Sequence, residues 1–469
     1  MSAFTLELGL GVLLLAVFVA SLAARGEDRR WVGWLATIGV LALAVLAMFL
    51  SPAAPRLGGA FVQDGLAIFA KRLFFVATFI GLLGGAAQGD AAFRRRAGEY
   101  HLLLLASLLG MLVLVSARDL ILLFVAFELM SLPLYALSGF RKREGVAVEA
   151  ALKFFLVGSV SSAVMAYGLS FVYGAARTTK LADVATASSS GDPWLMLGLV
   201  ATFVGFGFKI AAFPFHMWVP DTYEAAGTPF VAWLSVAPKA AGFVTLFRVY
   251  FEGVGPNATV WGPMAAGLAT LTIVGGNLMA LPQQNTKRLL AYSGIAHIGY
   301  MLVGVAAASA AGTAMVLFYL VAYVFGNMGA FLVVEAVSRS EGSENVAAFR
   351  GLAQRSPLLA LAMLLFLLSL GGIPFVAGFW AKLYVFWAAA QQGLYWLVVL
   401  GAVLTVVALF YYLIVAKKMY IEPPETLTRL HIEPALALSV ILCVLGVVVF
   451  GVYPKPIVMA ALRVAAPLF

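Results

Sequence analysis

Cysteine occurs once in the 469 residues, at Cys443. The chain therefore has no internal disulfide and no set of thiolates for an iron–sulfur cluster or a Cys-ligated metal. Charge is scarce as well: Asp, Glu, Lys and Arg together make 11% of the residues, where a soluble domain carries roughly 25%. No dinucleotide fingerprint, phosphate loop, metal-ligand cluster or pair of haem-ligating histidines is present. Redox chemistry, if the protein takes part in any, belongs to a partner.

What fills the sequence instead is apolar, at 63% hydrophobic residues. Crossing a hydrocarbon core of about 30 Å takes roughly 20 mostly apolar residues as a helix. Such runs are continuous rather than alternating, which excludes a barrel and predicts an all-α integral membrane protein whose partner is the lipid bilayer. Cut at charges, prolines and glycine clusters, about fourteen transmembrane spans fall near 4–24, 31–50, 65–85, 100–117, 119–139, 149–173, 193–219, 227–251, 258–281, 288–307, 313–336, 356–390, 394–416 and 432–452. The first run lacks a positive leader, and its Ala23-Ala24 end leads through Arg25 into another span. It reads as a retained helix rather than a cleaved signal. Pro214 and Pro374 lie well inside the seventh and twelfth spans, where proline removes a backbone bond and clashes with the preceding turn. Both are expected to be broken. Two broken helices five spans apart, hence of opposite direction, hint at inverted repeats.

The net charge of +9 comes from short Lys/Arg clusters between apolar runs, which are topology signals rather than a nucleic-acid face. Odd-numbered connections hold seventeen of these residues, from Arg25, Arg29 and Arg30 through Arg94–Arg96, Arg141–Arg143, Lys287, Arg288, Arg339, Arg350, Arg355, Lys417 and Lys418 to Arg429. Even-numbered connections hold five: Arg56, Arg118, Arg177, Lys180 and Arg248. The odd connections are expected in the cytoplasm and both termini on the other side. The run 174–192, with Ser188-Ser189-Ser190-Gly191, is the expected flexible external linker, and 337–355 the longest polar cytoplasmic one. Asp221 and Glu224 fall in a cytoplasmic loop without lysine or arginine, where they would attract protons or cap the eighth span.

Ionisable groups deep in a bilayer cost roughly 2.5–3.5 kcal/mol each on insertion scales, so each calls for a function or a partner. Glu128 is midway along the fifth span, and its side chain is too short to reach the interface. Lys209 precedes the proline of the seventh span, Lys239 is central in the eighth beside Pro238, and Lys382 follows the break of the twelfth. Lys153 lies about one turn inside the sixth and can snorkel. Desolvation disfavours a charged lysine and a neighbouring carboxylate favours it. Movement of Glu128 towards or away from a lysine would switch that lysine between holding and releasing its proton. The alternative is an inert ion pair that fixes packing, but several lysines against one central carboxylate leave positive charge over. His216, seven residues beyond Lys209, and His297, midway along the tenth span, titrate near neutrality and suit a relay, or else are packing residues. Ser131, Ser161, Ser162, Tyr319, Tyr323 and Asn327 are candidate linkers.

Five segments carry a resemblance: Phe127-Glu-Leu-Met-Ser-Leu-Pro-Leu-Tyr135, Glu149-Ala-Ala-Leu-Lys-Phe-Phe155, Gly207-Phe-Lys-Ile-Ala-Ala-Phe-Pro-Phe-His-Met-Trp-Val-Pro-Asp221, Gly276-Asn-Leu-Met-Ala-Leu281 and Thr286-Lys-Arg-Leu-Leu-Ala-Tyr-Ser-Gly-Ile-Ala-His-Ile-Gly-Tyr300. From about the second span onward the chain resembles the antiporter-like subunits of bacterial respiratory NADH:quinone oxidoreductase, complex I. Within them it resembles the N type, since the M type usually has a glutamate where Lys382 stands and the L type carries a long lateral helix beyond the last span. One local departure is Tyr223-Glu-Ala-Ala-Gly-Thr-Pro229, where the family commonly has a Tyr-Glu-Gly-Ala-Pro-Thr-Pro run.

The resemblance implies three N-terminal helices (1–99), two inverted five-helix repeats (100–251 and 258–416) with broken helices 7 and 12, and a final helix at 432–452. It implies a proton path through Glu128, Lys209, Lys239 and Lys382, assisted by Lys153, His216 and His297. No cofactor is expected in this chain; FMN, iron–sulfur clusters, NADH and quinone belong to partner subunits. The expected partners are the other membrane-arm subunits, including neighbouring antiporter-like ones, in the bacterial cytoplasmic membrane. A cation/proton antiporter or membrane-bound hydrogenase subunit of the same fold, and a non-pumping membrane scaffold, are the alternatives.

Overall fold

A computed structural model of the chain describes residues 3–24, 29–86, 91–187, 192–254, 258–424 and 428–469. Arg25 and the Ser188-Ser189-Ser190-Gly191 linker lie outside the described residues. In chain order the principal helices are α1 (Thr5–Ala23), α2 (Arg30–Met48), α3 (Gly65–Gly85), α4 (Ala97–Ser116), α5 (Leu120–Ser138), α6 (Gly145–Ala176) and α7 (Pro193–Ile210). There follow α8 (Trp218–Ala225), α9 (Thr228–Leu234), α10 (Ala237–Phe247), α11 (Ala258–Ala280), α12 (Thr286–Ala306) and α13 (Ala310–Glu341). The series ends with α14 (Pro357–Gly371), α15 (Ala377–Gln391), α16 (Tyr395–Tyr420), α17 (Pro434–Val452) and α18 (Lys455–Ala465). Strands β1 (Ala53–Arg56) and β2 (Phe61–Gln63) pair antiparallel between α2 and α3.

Thirteen helical stretches among the described residues are long and apolar enough to cross a bilayer. Each predicted span contains helix, with instructive departures. The seventh stops at Ile210, and the twelfth divides into α14 and α15, each of 15 residues. At both breaks a residue with a side chain takes the left-handed region, Ala211 at φ +66° and Phe375 at φ +74°, a conformation that L residues adopt only under constraint. The eighth span, read as continuous, is interrupted between Leu234 and Ala237 and ends in a π-helical turn over Arg248–Gly253. The sixth and eleventh run to 32 residues each, longer than their apolar portions, because polar ends such as Glu335 and Arg339, paired at 2.6 Å, prolong α13. α18 was not expected from apolar length at all.

Capping explains several starts. Asp64 accepts from the Ala67 amide at 2.9 Å, Asp119 from those of Ile121 and Leu122, and Asn285 from those of Lys287 and Arg288, each satisfying amides that the first turn leaves unpaired.

The chain forms two compact units. The first comprises Met1–Ile210, Ala237–Trp261 and Ala466–Phe469. At one of its ends Arg29 donates to the carbonyl of Arg94 and Arg96 to that of Phe140, so the first, third and fifth connections meet. At the opposite end Arg118 donates to Ala60, Leu120 to Thr179 and Leu181 to Arg118, gathering the second, fourth and sixth. There Arg248, fully buried, grips Asp64 at 2.7 Å and Glu252 at 3.2 Å, while Arg118 reaches Glu252 at 2.5 Å.

The second unit comprises Ala211–Val236 and Gly262–Ala465. α12 and α13 form its centre, buried almost all round. α16 shows an outward apolar stripe of Val399, Val403, Val406 and Phe410, the one-sided pattern of a lipid-facing helix. Its charged connections also gather: Lys287 bonds the Ala226 carbonyl and Glu344, and Arg350 bonds Glu422. Asp221 and Glu224, whose own connection holds no lysine or arginine, find a basic partner on another helix. Both lie on α8 and pair with Arg288 at 2.8 Å, a residue distant in sequence that the helical hairpins bring back.

Candidate functional site

In the first unit, α7 delivers Lys209 to the bilayer interior one residue before the helix stops. The lysine is 3% exposed, and its Nζ donates to Ser131 Oγ on α5 at 2.6 Å. Ser131 in turn donates to the Phe127 carbonyl, so its hydroxyl accepts from the cation and gives its own proton to backbone. The ammonium also stands over the rings of Phe127 and Phe208, at 4.8 and 5.7 Å, a favourable cation–π arrangement when desolvated.

Glu128 lies three residues before Ser131, one turn along the same face. It is half-buried, its field acts on Lys209, and its Oε1 is buried without a hydrogen-bond partner among the described residues. Lys239 enters from α10, 1% exposed. One turn on, Gly242 lies so close to α7 that a Cβ there would stand 3.2 Å from Lys209 Cγ. The fold therefore ties the helix of Glu128 to that of Lys209 through Ser131 and packs α7 against α10, which carries Lys239. Lys153 is 47% exposed on α6 and pairs with Glu149 at 2.8 Å.

The second unit holds a separate group. His297 on α12 meets Tyr319 at Nδ1, 2.7 Å, and Tyr412 at Nε2, 3.2 Å; Tyr412 continues to Ser293 at 2.5 Å. A neutral imidazole donates from one nitrogen and accepts at the other, so reversing every bond along Tyr319–His297–Tyr412–Ser293 moves a proton from one end to the other. Lys382, buried on α15, donates to the Gly371 carbonyl at 3.4 Å, a backbone acceptor at the helix break, and stands 4.7 Å from the Tyr300 ring centre. His216 lies in the irregular segment after the break, stacked on Phe213 at 4.9 Å. The break ends the register that would have set it seven residues along from Lys209.

Of the candidate linkers, Ser131, Tyr319 and Tyr323 line these groups, the last as a ring 5.2 Å from His297. Asn327 bonds Ser235 at 2.8 Å, and Ser161 bonds back to its own helix at Val157. Sequence reasoning missed Tyr300, Tyr411 and Tyr412; Tyr411 joins Asn277 at 3.1 Å. The available signal was polar aromatic side chains inside apolar spans. Among the described residues no three His, Cys, Asp or Glu side chains gather to hold a metal ion.

Discontinuous helices that leave buried ionisable side chains and free carbonyls at mid-span define an ion-translocating membrane protein of the broken-helix type. The chain belongs to the NADH:quinone oxidoreductase/Mrp antiporter transmembrane family, whose model matches residues 117–408, and within it to the NADH-quinone oxidoreductase subunit N group. It is 40% identical to NADH-quinone oxidoreductase subunit N of Moorella thermoacetica over 99% of this chain and 97% of that one. It superposes on a chain of respiratory complex I from Thermus thermophilus with a TM-score of 0.84 at 33% identity, covering 97% and 99% of the two. A chain of an archaeal membrane-bound sulfane sulfur reductase shares the fold, with a TM-score of 0.88 at 24% identity over 99% of this chain and 97% of that one.

Proposed function

We propose that this chain translocates protons as an antiporter-like membrane-arm subunit of NADH:quinone oxidoreductase, driven by NADH-to-quinone electron transfer in partner subunits. The observation that carries the reading is Lys209, an ammonium buried where α7 breaks and bonded to Ser131 one turn from Glu128. Glu128 and Lys209 exchange influence through their separation, Lys239 takes the proton onward, and His297 with Lys382 serves the second unit. Lys153 and His216 assist from the flanks. FMN, the iron–sulfur clusters, NADH and quinone lie in the partner subunits, and residues 100–251 and 258–416 act as inverted repeats. The chain sits in the bacterial cytoplasmic membrane with its odd-numbered connections in the cytoplasm and its termini outside.

The test is NADH-driven proton pumping in membranes carrying Lys209→Ala or Glu128→Ala. Normal assembly with pumping lost supports the reading, and normal pumping makes the chain a scaffold. Recovery of the chain in mild detergent without flavin or iron–sulfur partners would instead favour a free-standing antiporter.

A further inference from the structure

A second buried ion pair stands outside the matched family region and outside every group described above. Lys71 on α3 is fully buried, and its Nζ lies 2.6 Å from Glu7 Oε1 on α1, itself 8% exposed. The Phe61 ring stands 5.1 Å from the same Nζ. Side chains alternate along a strand, so Gln63 shares the face of β2 that carries Phe61 towards Lys71. Gln63 is completely buried, and neither end of its amide has a hydrogen-bond partner among the described residues. Phe61 also bridges Ala117, and the adjoining Ser116 is completely buried with its hydroxyl likewise unpartnered. Buried polar groups without protein partners are the ones that ordered water satisfies.

The depth of this group is set by its helices. α10 runs directly into Arg248, which bonds Asp64, the cap of α3, and the two helices pack together. Lys239 lies nine residues before Arg248, about 13 Å along the axis, and Lys71 seven residues beyond Asp64, about 10 Å. Lys71 therefore lies on a neighbouring helix slightly nearer than Lys239 to the end where the even-numbered connections gather.

We propose that Glu7, Lys71, Gln63 and Ser116 form a hydrated chamber that relays protons between Lys239 and that end of the first unit. The inference rests on the proton-translocation reading of Lys209 and Lys239. In the transfer the Lys71 ammonium gives its proton to the Glu7 carboxylate, leaving a neutral amine and acid. The acid releases the proton to chamber water, and the amine takes another from the interior side. Net charge in the pair changes by one only between release and reloading. The arginines of the adjoining Asp64–Arg248–Glu252 cluster hold their protons throughout and close the chamber as fixed charges.

An inert pair and a relay differ in what a charge-matched or neutral replacement does. Lys71→Arg keeps the ion pair but cannot release a proton, and the double variant E7Q/K71M removes both charges together. Each is made in the full chain within its native membrane and compared with Lys209→Ala for assembly and for protons moved per NADH oxidised. The relay predicts normal assembly of Lys71→Arg with pumping lost to the same extent as in Lys209→Ala, and the same loss in E7Q/K71M. Full pumping by Lys71→Arg overturns the proposal whether or not the double variant assembles, provided Lys209→Ala is defective. Normal pumping by Lys209→Ala overturns the functional reading and the relay with it.

Discussion

Lys209 and Ser131 are joined across α7 and α5 by a 2.6 Å bond from Nζ to Oγ, and that hydroxyl ties the lysine to the helix of Glu128. A hydrogen bond to a charged group contributes roughly 1.5–3 kcal/mol, about tenfold or more in an equilibrium. Ser131→Ala removes it without touching either ionisable side chain. The expected outcome is normal assembly with the step through Lys209 slowed about tenfold, seen as fewer protons per NADH in inverted vesicles. An unchanged ratio would show that Glu128 and Lys209 communicate without this contact.

The Asp64–Arg248 pair makes a stability prediction with a definite sign. Burial opposes ionisation of Asp64, but the Arg248 guanidinium, bonded at 2.7 Å, outweighs it and holds the carboxyl below its ordinary range. A depressed carboxyl stabilises the fold fully above its unfolded pKa of about 4, and the contribution fades as pH falls through the lower folded value. Asp64→Asn leaves Arg248 buried and underpaired, a change that typically costs about 3–5 kcal/mol. Melting of the detergent-solubilised protein at pH 7 is expected to fall clearly for Asp64→Asn and much less for D64N/R248M. A variant whose melting matches the parent at pH 7 would count against the pair.

Breaks at Pro214 and Pro374 were legible because proline acts locally, through one missing donor and one clash. Lys209, Lys239 and Lys382 were legible for a related reason, since an ionisable side chain in an apolar run is anomalous without any knowledge of neighbours. Partners were not. The bond from Lys209 to Ser131 spans 78 residues and that from Ser293 to Tyr412 spans 119, and no periodicity carries such information. The interruption beside Pro238 was missed because residues on both sides are apolar and buried, so hydropathy reads straight across it. The pairing of Asp221 and Glu224 with Arg288 was hidden in the same way: a loop that looks purely acidic is neutralised by a residue on another helix. Lys71 and Glu7 carried the signal that identified the other lysines, yet only their juxtaposition gives it meaning.

Helix approach behind the Glu128 site depends on Gly110. A Cβ there would stand 2.3 Å from the Met130 backbone nitrogen, and no rotamer change relieves a clash with backbone. Gly110→Ala is expected to part α4 from α5 and to destabilise by about 1–3 kcal/mol, the usual range for overpacking. Gly11→Ala is the control, with nothing within 4 Å of the added methyl, and helix propensity predicts a gain of about 0.5–1 kcal/mol. Thermal melts in detergent should separate the two in opposite directions; equal shifts would mean that α4 and α5 adjust without strain.

Tyr412 tests whether the aromatic chain of the second unit conducts protons or merely packs. Its ring lies 4.6 Å from that of Tyr411, so Tyr412→Phe keeps the packing and deletes one oxygen. That oxygen bonds both His297 Nε2, at 3.2 Å, and Ser293 Oγ, at 2.5 Å. A wire is broken by losing any single member, whereas packing loses only the buried hydrogen bonds, about 1–3 kcal/mol. Tyr412→Phe is therefore expected to assemble, to melt slightly lower, and to lose pumping as fully as His297→Ala. If it pumps like the parent while His297→Ala does not, the histidine passes its proton by a route that bypasses Tyr412, such as Tyr319 at Nδ1.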